Sequence, residues 1–192
     1  MDNALKQNIN DYFSYRGFWA KTLTDDDVHE MQDFIWESVD YYEELLGRVP
    51  RDDEARRLFS TEATYPSGEK LLLKKHFLIG VYSEQSELVS ILDVLQWEEF
   101  PEDFDVRLFL ISPDYREQGL GSIFYNGLLN FLKDQNARTI YFKIRVHNEV
   151  GNKFLLDRGF ILHYTGVEQN AAGGASLYVI MKNILKRSLY VK

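Results

Sequence analysis

The segment Tyr115-Arg116-Glu117-Gln118-Gly119-Leu120-Gly121-Ser122 carries the spacing best suited to chemistry. It follows the apolar run Val106-Arg107-Leu108-Phe109-Leu110-Ile111 and a Ser112-Pro113-Asp114 turn. It opens into Ile123, Phe124, Gly127, Leu128, Phe131 and Leu132, which recur at helical spacing. A strand, a glycine-bearing turn and a helix start in that order form an anion site. The first helical amides have no partner inside the helix, and the macrodipole puts partial positive charge there. Glycines let a phosphate approach the backbone without a Cβ in the way. The amides of Gln118, Gly119, Leu120, Gly121 and Ser122 are therefore a candidate pyrophosphate cradle, with Arg116 adding charge beside it. Ser122 is either a hydroxyl donor to the anion or only a first-turn residue. Arg116-x-x-Gly119-x-Gly121 is not the dinucleotide fingerprint, whose first position is Gly. It is not a Walker loop, because no Lys-Ser/Thr follows the glycines.

A second constellation runs from Val146 through Asn148, Asn152, Phe154 and Gly159 to Phe160. Asn148 stands where a strand gives way to a short helix, a natural capping position. Gly159 ends that helix and Phe160 begins the next strand. Asp93 is an acid inside the apolar strand Ser90-Ile91-Leu92-Asp93-Val94-Leu95, a placement that calls for a partner or a function. Glu98, Glu99, Glu102, Asp103 and Asp105 crowd the turn before the Val106 strand. They form either a solvated turn or an acidic mouth for a cation. His29, His76, His147 and His163 show no metal spacing, and no nucleophile elbow is present.

These two constellations, in this order, resemble the GNAT superfamily of N-acetyltransferases. Its loop is R/Q-x-x-G-x-G/A after an apolar-x-Pro turn, here Ile111-Ser112-Pro113, and its later motif is V-x-N-x-x-A-x-x-(F/L)-(Y/W)-x-x-x-G-F. The resemblance covers Leu88 to Lys182; the N-terminal part agrees only in element order. It implies acetyl-CoA as co-substrate, no metal, and direct attack of a substrate amine in a ternary complex. It also implies that the backbone of Leu110 and Ile111 pairs with the pantetheine arm, and that Asn148, Asn152 and Phe154 meet the cofactor. Many members carry a Tyr proton donor where this chain has Leu155. Either another group then serves as the acid, Tyr164 or else Tyr178, or the thiolate leaves unaided, or catalysis is lost; Asp93 is the candidate base. In this superfamily the region holding Trp36, Tyr41, Tyr42 and Tyr65 shapes the acceptor pocket, though aromatics there also serve as packing.

A length of 192 residues suits one domain, and 45% hydrophobic content is ample for a core. The net charge of −8 disfavours nucleic acid and anionic membranes, which need a basic face, and favours a small cationic amine. Without Cys there is no disulfide and no thiolate nucleophile. The N-terminus lacks a signal-peptide pattern and no apolar run reaches spanning length, so a cytoplasmic protein is expected. Self-association as a homodimer stays open.

The elements that position these residues read as follows. Leu5, Ile9, Tyr12 and Phe13 suggest an N-terminal helix, and residues 17–23 a first strand. Thr24-Asp25-Asp26-Asp27 starts a helix whose face is Val28, Met31, Ile35, Val39, Tyr42 and Leu46, ended by Gly47 and Pro50. A short helix follows at 52–59, then strands at 76–83, 87–97 and 105–112 as an antiparallel meander. After the loop helix come strands at 139–146, 160–165 and 176–181, with a Gly173-Gly174 loop before the last. The expected class is α/β, one mixed and mostly antiparallel sheet with helices on both faces. The resemblance adds a central parallel, splayed strand pair. Residues 1–15 are expected as a helical extension and 16–192 as one GNAT-like domain. The expected activity is an acyl-CoA-dependent N-acetyltransferase. Its alternatives are a non-catalytic acyl-CoA-binding module of the same fold and a nucleotide-binding fold.

Overall fold

The computed structural model describes residues 8–60, 64–169 and 175–185. The elements are α1 (Asn10–Phe13), β1 (Trp19–Thr22), α2 (Val28–Glu37), α3 (Val39–Leu46), α4 (Glu54–Leu58), β2 (Leu73–Tyr82), β3 (Leu88–Trp97), β4 (Asp103–Ile111), α5 (Leu120–Asp134), β5 (Thr139–Arg145), α6 (Glu149–Leu156), β6 (Ile161–Gln169) and β7 (Ala175–Ile184). The strands form one seven-stranded sheet in the order β1-β2-β3-β4-β5-β7-β6. Only β4 and β5 run parallel; every other neighbouring pair is antiparallel. A parallel pair needs a crossover, and α5 supplies it.

Strand alternation divides the core. Ile79, Val81, Leu92 and Val94 join α1 and α5 through Phe13, Phe124 and Leu128. Leu78 and Ile91 face the other way, onto Met31, Phe34, Ile35, Tyr42 and Ala55 of α2, α3 and α4. The expected helices on both faces are therefore present. The α1 backbone lies so close to α5 that a Cβ on Gly127 would sit 2.5 Å from the Tyr12 carbonyl oxygen, so only glycine fits there.

The ladder between β3 and β4 is irregular at one point. Asp93 opposes Leu108 while Val94 opposes Val106, so Arg107 is an extra residue. Such a bulge bends its strand and strengthens the local twist. The β4–β5 ladder ends at the same place, on the pair Val106–Phe142. Beyond it the two strands continue without pairing to each other, which is the splay the resemblance implies. The extra residue also switches faces. Phe104 and Val106 belong to the α5 cluster, whereas Leu108 and Leu110 belong to the α2–α4 cluster.

Two sequence expectations differ from the structure. The long amphipathic helix is two helices, broken at Ser38, which is buried with φ −96° and ψ 29°. Ser and the β-branched Val39 are weak helix formers, and the turn there lets α3 lean toward β4 and β5. Gly47, at φ 65°, then closes α3 through Gly47 N to Glu43 O and Arg48 N to Tyr42 O. The Thr24–Asp27 capping box is present, but it opens a short tight turn over Asp25–Asp27 before α2 begins. Leu5 and the Gly173-Gly174 loop lie outside the described residues. No helix among the described residues is long and apolar enough to cross a membrane.

Candidate functional site

The loop from β4 to α5 leaves a run of backbone amides open. Glu117 at φ 60° and Gly119 at φ 77° are both left-handed, and backbone of this kind turns successive N–H groups to one side. Among the described residues, no acceptor meets the amides of Gln118, Gly119, Leu120 and Gly121. The Ser122 amide differs from the expectation, because it already donates to the Gly119 carbonyl at 3.1 Å. Nothing lies within 4 Å of a Cβ placed on Gly119, so the concave side is open; its φ is what requires glycine. A Cβ on Gly121 would touch Ile111 and Phe154 at 3.5 Å, an ordinary contact.

Arg116 does not lie free beside this cradle. Its guanidinium pairs with Asp40 of α3 and its Nε donates to the Ile111 carbonyl at 2.9 Å. It fastens the loop to α3 instead. Arg158, just past α6, stands where the extra charge was expected. Its Nη2 donates to Ser122 Oγ at 2.6 Å, its Nη1 to the Phe154 carbonyl at 2.8 Å, and it lies 3.4 Å over the Phe154 ring centroid. Among the described residues no carboxylate pairs with it. As a basic residue in the last turn of a helix it reads in sequence as a dipole partner, which hid it.

The splay opens two joined cavities. The narrow one, about 100 Å³, lies between β4, β5 and α6, with Phe109, Gly151, Phe154 and Leu155 in its wall. The wide one, about 410 Å³, opens on the α3 side, with Leu45, Leu46, Asp105, Arg145 and Glu168 in its wall. Tyr41, Arg107, Lys143, Ile144 and Asn148 wall both. Asp105 is 7% exposed and its Oδ1 has no partner among the described residues. Burial pushes its pKa up to about 7; Arg107 and Lys143 oppose the rise and the charge of Asp93 adds to it. A carboxylate so placed can take a proton from an amine near neutral pH. Burial also raises the Tyr41 hydroxyl, against a smaller pull from Arg145, so it stays protonated and able to donate.

Asp93 is elsewhere. It is 1% exposed, walls neither cavity, and spends both oxygens on His76 Nε2 at 2.8 Å and Arg107 Nη2 at 2.7 Å. It holds Arg107 at the bulge, helped by Arg107 donating to the Leu58 and Ser60 carbonyls. Tyr164 is 49% exposed and Tyr178 stacks under the Lys143 ammonium; neither walls either of these two cavities. Neither catalytic candidate read from sequence, Asp93 or Tyr164, walls the splay; Asp105 walls its wide cavity and Tyr41 walls both. Asp105 was legible as a charge flanked by Phe104 and Val106 in a strand, but its acidic neighbours masked it. Those neighbours Glu99, Glu102 and Asp103 wall a separate cavity with Arg138 and Thr139, so of these four acids only Asp105 walls the splay.

The remaining candidates divide. Leu110 and Ile111 lie on the half of β4 that has no β5 partner. The Leu110 carbonyl accepts from Ser90 Oγ at 2.8 Å. Asn148 Oδ1 accepts from the Gly151 amide at 2.8 Å, capping α6 while the residue walls both cavities. Asn152 donates to the carbonyls of Arg145, Val146 and Asn148, which holds the β5–α6 turn together. Phe154 walls the narrow cavity and packs on Phe109 and Tyr125. Among the described residues no cluster of His, Asp and Glu could hold a metal.

This architecture is shared with known proteins. The family model described as acetyltransferase (GNAT) family matches residues 31–160. The fold is similar to an acetyltransferase from Thermus thermophilus (TM-score 0.64, 19% identity, 88% of this chain and 97% of that chain). It is similar to spermidine N-acetyltransferase from Vibrio cholerae in complex with CoA and spermine (0.66, 14%, 88% and 96%). It is similar also to the ribosomal-protein-S18-alanine N-acetyltransferase from Escherichia coli (0.63, 12%, 90% and 99%). No curated protein sequence matches the chain. With a family match over most of its length, and with the bulged, splayed sheet and glycine loop described above, the chain belongs to the GNAT acetyltransferase family.

Proposed function

We propose that the protein is an N-acetyltransferase that moves an acetyl group from acetyl-CoA to the amine of a small molecule by direct attack in a ternary complex. The observation that carries this reading is Asp105, a buried carboxylate with a free oxygen in the wall of a cavity that adjoins the splay. The residues present suit acetyl-CoA. Four unpartnered amides from Gln118 to Gly121 and the Arg158 guanidinium suit its diphosphate, and the unpaired edge of β4 suits the amides of its arm. When bound, acetyl-CoA supplies a thioester carbonyl open to a nucleophile. Asp105 takes the proton that frees the amine lone pair, and Tyr41 donates to the departing sulfur. The nitrogen–carbon bond forms as the carbon–sulfur bond breaks, CoA leaves as the thiol with the proton of Tyr41, the second proton of the acylated nitrogen restores Tyr41, and the proton on Asp105 passes to solvent. The non-catalytic alternative drew on Leu155, which is 2% exposed in the core; Tyr41 supplies the hydroxyl missing there. On this reading residues 16–192 act as one catalytic domain in the cytoplasm, with 1–15 as an extension.

The test is turnover. A panel of primary amines incubated with acetyl-CoA is expected to give N-acetylated products by mass spectrometry, with stoichiometric release of CoA thiol. Saturable CoA binding with no amine acetylated would turn the reading into that of a binding module.

The two arginines at the loop separate by calorimetry with CoA. Arg158→Gln removes a charge-assisted hydrogen bond and is expected to weaken CoA about tenfold or more. Arg116→Gln breaks a half-exposed ion pair. It is expected to lower Tm by about 2–4 °C, for a loss near 1 kcal/mol, with CoA affinity changed by less than about threefold. The opposite ranking would return the cofactor role to Arg116.

A further inference from the structure

Three residues in the wall of the wide cavity each carry a buried polar atom that lacks a partner among the described residues: Asp105 Oδ1, Arg107 Nε and Arg145 Nη1. The other such atoms, on Ser38, Gln96 and Trp97, lie away from it. Folded proteins leave few buried polar groups unmatched, so a cluster of them in one cavity marks where a ligand completes the set. The set is one acceptor and two cationic donors. We propose that the acceptor is a zwitterionic amine of the α-amino-acid class, its carboxylate held by Arg107 and Arg145 and its amino group at Asp105. This rests on the acetyl-transfer reading above and specifies its substrate.

The charges in the wall agree. Arg107 is matched by Asp93 at 2.7 Å. Lys143 and Arg145 share Glu168, each at 3.0 Å. The wall therefore holds one cation beyond its fixed partners, and an ionised Asp105 balances it. A site with no net charge and with separated ends suits a ligand carrying one charge of each sign. A polyamine would bring several ammonium groups against Lys143 and Arg145. A dianion would meet Asp105 and Glu168. Guanidinium donors also match the planar geometry of a carboxylate better than they match any cation. Leu45 and Leu46 add an apolar wall, and about 410 Å³ leaves room for an aliphatic or aromatic side chain. The charge of −8 on the whole chain is no guide here, because Glu99, Glu102 and Asp103 wall a different cavity.

The experiment compares L-leucine, L-methionine and L-phenylalanine with their amides and with the amines left by removing the carboxyl group. Two readouts are used on wild type and Arg145→Gln: acetylation with acetyl-CoA, and calorimetric binding to the CoA-loaded protein, which cannot turn over. Free amino acids are expected to exceed their amides by about 10- to 100-fold in kcat/KM and in affinity, the effect of a charge-assisted pair. Arg145→Gln is expected to bring the amino acids down to the amides, mainly through KM. Circular dichroism checks the fold, and where the variant is unfolded the wild-type comparison decides alone. Amides or decarboxylated amines that equal or exceed the free amino acids in both readouts overturn this proposal and leave acetyl transfer standing. Amino acids that bind by their carboxylate while no amine is acetylated support the pocket and overturn acetyl transfer.

Discussion

Asp105→Asn is expected to lower kcat/KM for the amine acceptor by about 10²- to 10⁴-fold while CoA still binds. Asn keeps the shape and cannot accept the proton. The pH profiles should differ as well. Wild-type kcat/KM should rise with pH through about 7 as Asp105 loses its proton, and the variant should lack that limb. The same substitution should make the protein more stable in alkali. The folded pKa, about 7, lies above the ordinary 3.8, so over that window the folded state holds a proton that the unfolded state has released. Stability therefore falls as pH rises from about 4 to about 7, and above it the folded state carries a buried charge with one oxygen lacking a hydrogen bond among the described residues. Asn removes that cost. The variant is expected to gain on the order of 2–4 kcal/mol at pH 8 and little near pH 4, by denaturant titration at both. A variant with the wild-type rate and profile means the proton leaves by another route.

Gly121→Glu is expected to weaken CoA by more than about 100-fold in a protein that stays folded. A carboxylate a few ångströms from the diphosphate costs about 3 kcal/mol per charge pair at the effective dielectric of a protein surface. It also reverses the field of the α5 N-terminus. Gly121→Ala is the control. Its Cβ meets Ile111 and Phe154 at 3.5 Å without displacing them, so affinity should stay within about threefold. Calorimetry with CoA reads both variants. A Glu variant of unchanged affinity would place the diphosphate elsewhere.

The loop was legible because its chemistry is local: glycines, a preceding turn and a helix start are neighbours in sequence. The order of strands and helices was legible for the same reason, through periodicity. The splay and its bulge were not readable from residues alone, since Arg107 becomes an extra residue only through the register of β4 against β3. The fate of Asp93 was hidden likewise. Its partners His76 and Arg107 come from the two flanking strands and meet it only when the sheet forms. The break at Ser38 left no trace in the apolar spacing, because Ile35 and Tyr42 keep the seven-residue interval of a continuous helix. Tyr41 was noticed as one of several aromatics; only that break, and the approach of α3 to the splay, sets it between two cavities.

A crystal structure of the protein with CoA is the decisive measurement for acetyl transfer in the splay. The diphosphate should lie on the amides of Gln118 to Gly121, and the arm should run along β4 from Ile111 toward Arg107. The sulfur should sit at the wall shared by the two cavities, within reach of Tyr41 and beside Asp105. A sulfur outside the splay, or a diphosphate away from the glycine loop, would show that the cofactor and its chemistry belong to another part of the molecule.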